Sequence, residues 1–365
     1  MKVPFVQAIA ASAVLAGAVA AAVAAAPQAT SNPLRVSMYA AANGAVEVTV
    51  TNTGRRAARV PSWQLPGGDP TAKLFQVSLD GEAVAYEGKI AKRGLPGPGD
   101  FLVLAPGQSH RAVVDLAASY DMDARGQYLV TLASPLQYAS LSDGSMLKTR
   151  RGLPMLLRSA PINVWSNGAV AKAGVAKQGK PCNPKKQDCG GGGGGSISFV
   201  GCSATQSATA TDAVNQARAY SENAKGYLAG GTVGPRYTTW FGAYTSSRYG
   251  TASQHFAAID SAMDQNSGQI KINCGCNQNY YAYVYPTRPY EIFVCRAFWS
   301  APLAGTDSKG GTLIHEMSHF NVVAGTDDIV YGQTGAKNLA ASDPAGALNN
   351  ADNHEYFAEN KPAQN

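Results

Sequence analysis

Two hydrophobic patterns divide the chain. From about Asn32 to Trp165, apolar and polar positions alternate in short runs. Examples are Ala45-Val46-Glu47-Val48-Thr49-Val50, Phe75-Gln76-Val77-Ser78-Leu79, Ala112-Val113-Val114-Asp115-Leu116 and Tyr128-Leu129-Val130-Thr131-Leu132. Successive side chains of a strand face opposite sides, so a period of two predicts strands with one buried face. Asp80-Gly81, Pro96-Gly97 and Pro106-Gly107 supply turns. Regular short strands joined in this way predict an all-β, sandwich-like domain over residues 27–166. Beyond residue 199 the period lengthens. Ala213, Val214, Ala217, Tyr220, Ala224 and Leu228 share one face of a helix over Thr211 to Leu228, and Thr251 to Met263 and Gly310 to Val322 are further helix candidates. Tyrosine-rich strand segments, Tyr280 to Tyr285 and Tyr290 to Val294, lie between them. Helices, a small sheet and helices again predict an α+β domain over residues 199–365.

The segment joining the two, residues 167–198, has neither period. It holds Lys172, Lys177, Lys180, Lys185 and Lys186, the pair Cys182 and Cys189, and six consecutive glycines from Gly190 to Gly195. Such a stretch cannot bury enough apolar surface to fold alone and reads as a linker. At the other end, Lys2 precedes an Ala/Val-rich run from Ala8 to about Ala26 that ends in small residues before Pro27. This reads as a secretory signal peptide, residues 1–26, that is removed on export. The alternative is a retained anchor, since the run is almost long enough to span a bilayer. Alanine is only weakly apolar, however, and no basic stop-transfer cluster follows. The expectation is an extracellular protein without stable membrane insertion after signal removal.

Composition sharpens this division. Of 365 residues, 45% are hydrophobic and 15% charged, which excludes global disorder. The net charge of +6 is uneven: residues 1–195 carry 20 Lys+Arg against 11 Asp+Glu, or +9, and residues 196–365 carry −3. No basic run of the nucleic-acid-binding kind occurs in either half, so no nucleic-acid partner is expected. Six cysteines suit disulfides in an exported chain. The first half has one histidine, His110, which reads as a surface residue, and no metal site.

The chemistry lies in the second half. His315-Glu316-Met317-Ser318-His319 is H-E-x-x-H. Positions i and i+4 of a helix point to nearly the same side, so both imidazoles can hold one zinc ion. Glu316, rotated about 100° away, is placed to take a proton from a water polarised by the metal. A catalytic zinc needs a third protein ligand and an open fourth position. The metzincin solution, a third histidine six residues on, is absent because that position is Gly325, and no methionine follows Met317. Glu355 and Glu359 on a later helix are candidates. Nearer is Gly325-Thr326-Asp327-Asp328-Ile329-Val330-Tyr331-Gly332, where the glycine lets the chain leave the helix and return a carboxylate to the metal.

H-E-x-x-H followed by G-T-x-D-x-x-Y-G resembles the signature of the aspzincins, the deuterolysin-like zinc endopeptidases. The resemblance implies a zincin-like metalloprotease domain with one zinc ion. His315, His319 and Asp328 would be its ligands, Glu316 the general base, and Tyr331 the donor to the oxyanion. Asp327 falls on an unconstrained position of the motif and reads as a solvated loop carboxylate. The segment Asn350-Ala351-Asp352-Asn353-His354-Glu355-Tyr356-Phe357-Ala358-Glu359-Asn360 is similar to the C-terminal segment of the peptidyl-Lys branch of that family. There an aspartate and a glutamate three residues apart select lysine in the S1′ pocket, which implies that role for Asp352 and Glu355. At i, i+3 they share a helix face, and two carboxylates can offset the cost of desolvating an ammonium. His354 reads as structural. The family pairs its cysteines in order, implying Cys202–Cys274 and Cys276–Cys295, although four cysteines allow three connectivities. Cys182 and Cys189 could close a small loop; their spacing excludes a Cys-x-x-Cys site.

An endopeptidase must be restrained before export, so the basic β-rich half is expected to be a removable pro-domain, bound until maturation. Cleavage on the amino side of lysine would make Ala171–Lys172, Ala176–Lys177 and Gly179–Lys180 candidate self-processing bonds. The expected partners are protein and peptide substrates, and the expected state is a monomer. Rival readings are a broader-specificity deuterolysin-like protease and a secreted binding protein with a non-catalytic zinc domain.

Overall fold

The computed structural model describes residues 31–67, 71–168, 196–265 and 267–365. The signal-peptide reading, Cys182, Cys189 and the three proposed processing bonds lie outside the described residues.

The N-terminal region is built of short strands: β1 (Leu34–Ala40), β2 (Ala45–Asn52), β3 (Ala58–Pro61), β4 (Phe75–Leu79), β5 (Glu82–Ala83), β6 (Ile90–Arg93), β7 (Phe101–Leu104), β8 (Ser109–Asp115), β9 (Gly126–Pro135), β10 (Ser140–Leu141), β11 (Leu156–Arg158) and β12 (Ile162–Ser166). Each alternating run is a strand here. Val46, Val48 and Val50 of β2 are buried while Glu47 faces water. Antiparallel pairing puts Met38 of β1 opposite Val48, and Val114 of β8 opposite Val46, so one register seals the inner face. The strands form three small sheets, β1-β2-β8, β10-β3-β7 and β11-β9-β4-β5 with β12 paired to β9. They surround one core that includes Tyr128, Val130, Leu132 and Leu104. The predicted sandwich is thus divided among three sheets. His110 is half-buried rather than a plain surface residue; its Nε2 lies 2.6 Å from the Pro66 carbonyl.

The C-terminal region runs β13 (Ser196–Val200), α1 (Ala204–Ala229), α2 (Pro235–Phe241), α3 (Ser246–Met263), β14 (Ser267–Asn273), β15 (Tyr280–Val284), β16 (Glu291–Val294), α4 (Arg296–Ser300), α5 (Lys309–His319), α6 (Gly332–Ser342), α7 (Pro344–Leu348) and α8 (Ala351–Glu359). Helix α1 begins earlier than the apolar period suggests because Ser203 and Gln206 form a capping box. Half of its buried residues are alanine, and α3 and α5 pack on it. Disulfides Cys202–Cys274 and Cys276–Cys295 tie the start of α1 to the end of β14, and the β15–β16 hairpin to its own base. All of these elements share one core.

One strand crosses between the regions. The five-stranded sheet of the C-terminal region has the order β13-β14-β16-β15-β6. Its last member comes from the N-terminal region and pairs antiparallel with β15, Ala91 opposite Tyr283 and Lys92 opposite Ala282. Ile90, Ala91 and Lys92 are all buried there.

Candidate active site

Helix α5 carries His315, Glu316 and His319, and all eleven of its residues are buried. Ser308 caps it, its Oγ accepting from Gly311 N at 2.9 Å. The helix ends at His319, three residues before the predicted end, because Phe320 turns to an extended conformation. Gly325 then adopts φ +66°, the left-handed region that favours glycine. This folds Thr326 back onto the helix. Its N–H donates to the Ser318 carbonyl at 3.1 Å, and its Oγ1 lies 2.6 Å from Ser318 Oγ. The Thr326 carbonyl in turn sits 2.8 Å from His319 Nδ1. That contact keeps the proton on Nδ1 and leaves Nε2 as the outward lone pair.

Asp328 is the carboxylate returned by this turn. Its Oδ1 lies 3.1 Å from His315 Nε2 and 3.5 Å from His319 Nε2. A tetrahedral zinc about 2 Å from each ligand holds its ligand atoms about 3.3 Å apart, so the spacing fits. Both Nε2 atoms and Asp328 Oδ1 are buried without a hydrogen-bond partner. Buried polar atoms are rarely left so, and three orphans this close together fit a metal. Burial alone would raise the Asp328 carboxyl, but the two facing imidazoles outweigh it and hold the pKa far below the usual carboxylate range. Both Glu316 oxygens also lack partners, and burial pushes this carboxyl up to about 7.

The Asp328 loop is held in place by Asn350, whose Oδ1 accepts from Ile329 N at 2.8 Å and Val330 N at 3.1 Å. The Tyr331 hydroxyl reaches Asp328 Oδ2 at 2.8 Å and the Ala91 carbonyl at 3.0 Å, and its single proton serves one of them at a time. Gln137 of the N-terminal region bonds both backbone groups of Tyr331, at 2.6 and 2.7 Å. Asp327 is less solvated than expected, because Lys73 pairs with it at 3.2 Å.

Asp352 and Glu355 stand one turn apart on α8, both buried, and between them lies Lys92. Its Nζ is 2.6 Å from Glu355 Oε2, 3.4 Å from Asp352 Oδ1 and 3.6 Å from Asp307 Oδ1. Burial would depress the ammonium's pKa, but the three carboxylates outweigh that and raise it well above the usual lysine value. The aromatic rings of Tyr281 and Tyr356 lie 5.2 and 6.0 Å from the charge. Asp352 has further neighbours: Oδ2 accepts from Gly332 N at 2.6 Å, and Oδ1 lies 2.9 Å from His315 Nδ1, close though not aligned as a hydrogen bond.

The other candidate ligands face elsewhere. Glu355 approaches His315 from the Nδ1 side, at 3.3 Å, with Lys92 between it and Asp352. Glu359 accepts from Ser308 N and Oγ at 2.8 and 2.7 Å. His354 is buried; its Nδ1 meets the Asn350 carbonyl and its Nε2 meets His255, each at 3.0 Å, and burial pushes its pKa down to about 3.

Comparison with known proteins places this arrangement. Residues 227–359 match the aspzincin family model, described as lysine-specific metallo-endopeptidase. An extracellular protease of Aeromonas hydrophila is 42% identical over 327 residues, covering 88% of this chain and 89% of that protein. The chain belongs to the aspzincin family. A peptidyl-Lys metalloendopeptidase of Pleurotus ostreatus is 52% identical over 167 residues, 45% of this chain and 98% of that protein. One of Armillaria mellea is 34% identical over 335 residues, 87% of this chain and 88% of that protein. This aspzincin is a zinc metalloendopeptidase acting on proteins or peptides. Among its described residues no helix is long and apolar enough to cross a membrane.

Lys92, Gln137 and Asp307 are site residues that sequence reasoning did not single out. Lys92 had one available signal, being a lysine preceded by alanine in a protein expected to cut before lysine.

Proposed function

We propose that this aspzincin is a secreted endopeptidase that hydrolyses peptide bonds on the amino side of lysine. In this reading it is made as a precursor whose N-terminal region, up to about residue 166, is a removable pro-domain. His315, His319 and Asp328 would hold one zinc ion, which when bound supplies Lewis acidity at the substrate carbonyl and to the attacking water.

The observation that carries the lysine reading is the position of Ala91-Lys92. The segment adds to the edge of β15 as an extended strand. Strand addition fixes a peptide by its backbone and leaves its side chains to pockets. The Ala91 carbonyl then lies against the Tyr331 phenol, and the next side chain enters the acidic pocket. A substrate bound in the same way has its scissile carbonyl beside Tyr331 and its P1′ lysine between Asp352 and Glu355. Glu316 would take a proton from the attacking water and pass it to the leaving amine. Tyr331 donates to the carbonyl oxygen as negative charge develops there.

The same contacts account for latency, since β6 covers the strand edge, Lys92 fills the pocket, and Lys73 and Gln137 hold the loop carrying Asp328 and Tyr331. Maturation would require cutting in residues 167–198, before Lys172, Lys177 or Lys180. The test is hydrolysis of matched peptides that differ only in Lys, Arg or Ala at one position, by the processed enzyme with and without chelator. Chelator-sensitive cleavage before Lys alone supports the reading. Equal rates on all three would favour a broader protease, and no cleavage a binding role.

A further inference from the structure

The lysine pocket is reached by a third carboxylate that lies outside α8. Asp307 sits in the turn before α5, next to the buried cap Ser308. Its Oδ1 lies 3.6 Å from Lys92 Nζ, beyond a direct hydrogen bond but within charge-pairing range, and accepts from Tyr356 OH at 2.7 Å. Asp307 has φ +51°, the left-handed region that a non-glycine residue enters when local contacts support it. Such a residue persists where its surroundings fix it. Here the anchor is Glu359. Its Oε2 accepts from Asp307 N at 3.2 Å, and its Oε1 accepts from Ser308 N and Oγ. The anchor occupies space that any side chain at position 311 would need, and that residue is glycine. Two residues of α8, Tyr356 and Glu359, thus fix Asp307 from its side chain and its backbone.

We propose that Asp307 is a specificity-determining residue for P1′ lysine, with Tyr356 and Glu359 as positioning residues. This rests on the lysine reading above. An ammonium carries three N–H donors and no acceptor, and three carboxylates from two different elements surround the one seen here. Asp352 shares its charge with His315 and Gly332. Asp307 makes no such contact with the metal ligands. With its side chain 41% exposed, it stands at the mouth of the pocket, whereas Asp352 and Glu355 line the interior. A lysine entering the pocket therefore meets Asp307 first, and its ammonium is held there by a carboxylate from outside α8. An alanine at P1′ does not reach the carboxylate.

The experiment compares kcat/KM of the processed, zinc-loaded enzyme on two peptides differing only in Lys or Ala at P1′. Asp307→Asn is expected to lower the lysine value about 5- to 10-fold, mainly through KM, and to leave the alanine value unchanged. Tyr356→Phe keeps the ring beside the ammonium and removes only its hydrogen bond to Asp307; it should lower the lysine value about 3-fold. An unchanged Lys/Ala ratio in Asp307→Asn overturns the assignment, as does an equal fall on both peptides. Should Asp307→Asn fail to fold, the ratio in Tyr356→Phe decides in the same way. A wild-type enzyme that cuts both peptides alike overturns the lysine reading itself, and this inference with it, before any variant is compared.

Discussion

Replacing Lys92 by methionine isolates the contact on which the proposed latency depends. Methionine keeps most of the aliphatic stem and removes the charge. In the parent, the ammonium is almost wholly buried against Glu355 and Asp352, and both carboxylates are buried with it. Deleting one partner of a buried ion pair costs about 3–5 kcal/mol, because the remaining charges stay desolvated without compensation. In the open form the same carboxylates meet water and lose little. The closing equilibrium should therefore weaken by about 10²- to 4 × 10³-fold, since 1.4 kcal/mol is a factor of ten. The assay uses the full-length chain with Lys172, Lys177, Lys180, Lys185 and Lys186 changed to arginine, so that the linker cannot be cut before lysine. Hydrolysis of a short lysine peptide is then followed in the presence of zinc. The parent should be nearly silent and the Lys92→Met chain faster by a factor approaching the loss in closure. A Lys92→Met chain as silent as the parent would rule out this role for Lys92 and transfer the proposed latency to the β6–β15 pairing and the Gln137 contacts.

Three further predictions concern the metal site and α8. Asp328→Ala should abolish stoichiometric zinc binding, measured by metal analysis after dialysis, whereas Glu359→Gln should retain it; the reverse result would reassign the third ligand. Tyr331→Phe should lower kcat by about 10²-fold with little change in KM, the signature of a donor used in the transition state. Glu359 is pushed up to about 8, by burial and then by the nearby Glu355 charge. The folded chain therefore holds a proton there that the unfolded chain releases near pH 4.5. Its contribution to stability is complete below that pH and disappears as pH rises through about 8. Glu359→Gln should accordingly flatten the fall in melting temperature between those limits, and an unchanged slope would contradict the assignment.

Much of the site could be read from local spacing. The i, i+4 histidines share a helix face whatever surrounds them, and Gly325 marks the place where the chain must reverse. The i, i+3 pair Asp352 and Glu355 also needs only helical geometry to face one way. The alternating runs gave the N-terminal strands for the same reason, because a period of two depends on a single buried face. What escaped the sequence depends on contacts between distant segments. Nothing in Ile90-Ala91-Lys92-Arg93 shows that this strand leaves its neighbours to complete a sheet with β15, nearly 200 residues away. Asp307 reads as an ordinary turn carboxylate until α8 packs against it. Helix α2, seven residues with buried Arg236, Tyr237, Trp240 and Phe241, is too short to show a period.

The proposed activity is cleavage before lysine by a zinc site made of His315, His319 and Asp328. It is tested most directly by digesting a defined protein rich in both lysine and arginine with the processed enzyme, and identifying every new N-terminus by mass spectrometry beside a chelator control. New chains that begin with lysine are expected, absent under chelator and restored by added zinc. New termini spread over many residue types, or lysine-initial termini that persist under chelator, would contradict it.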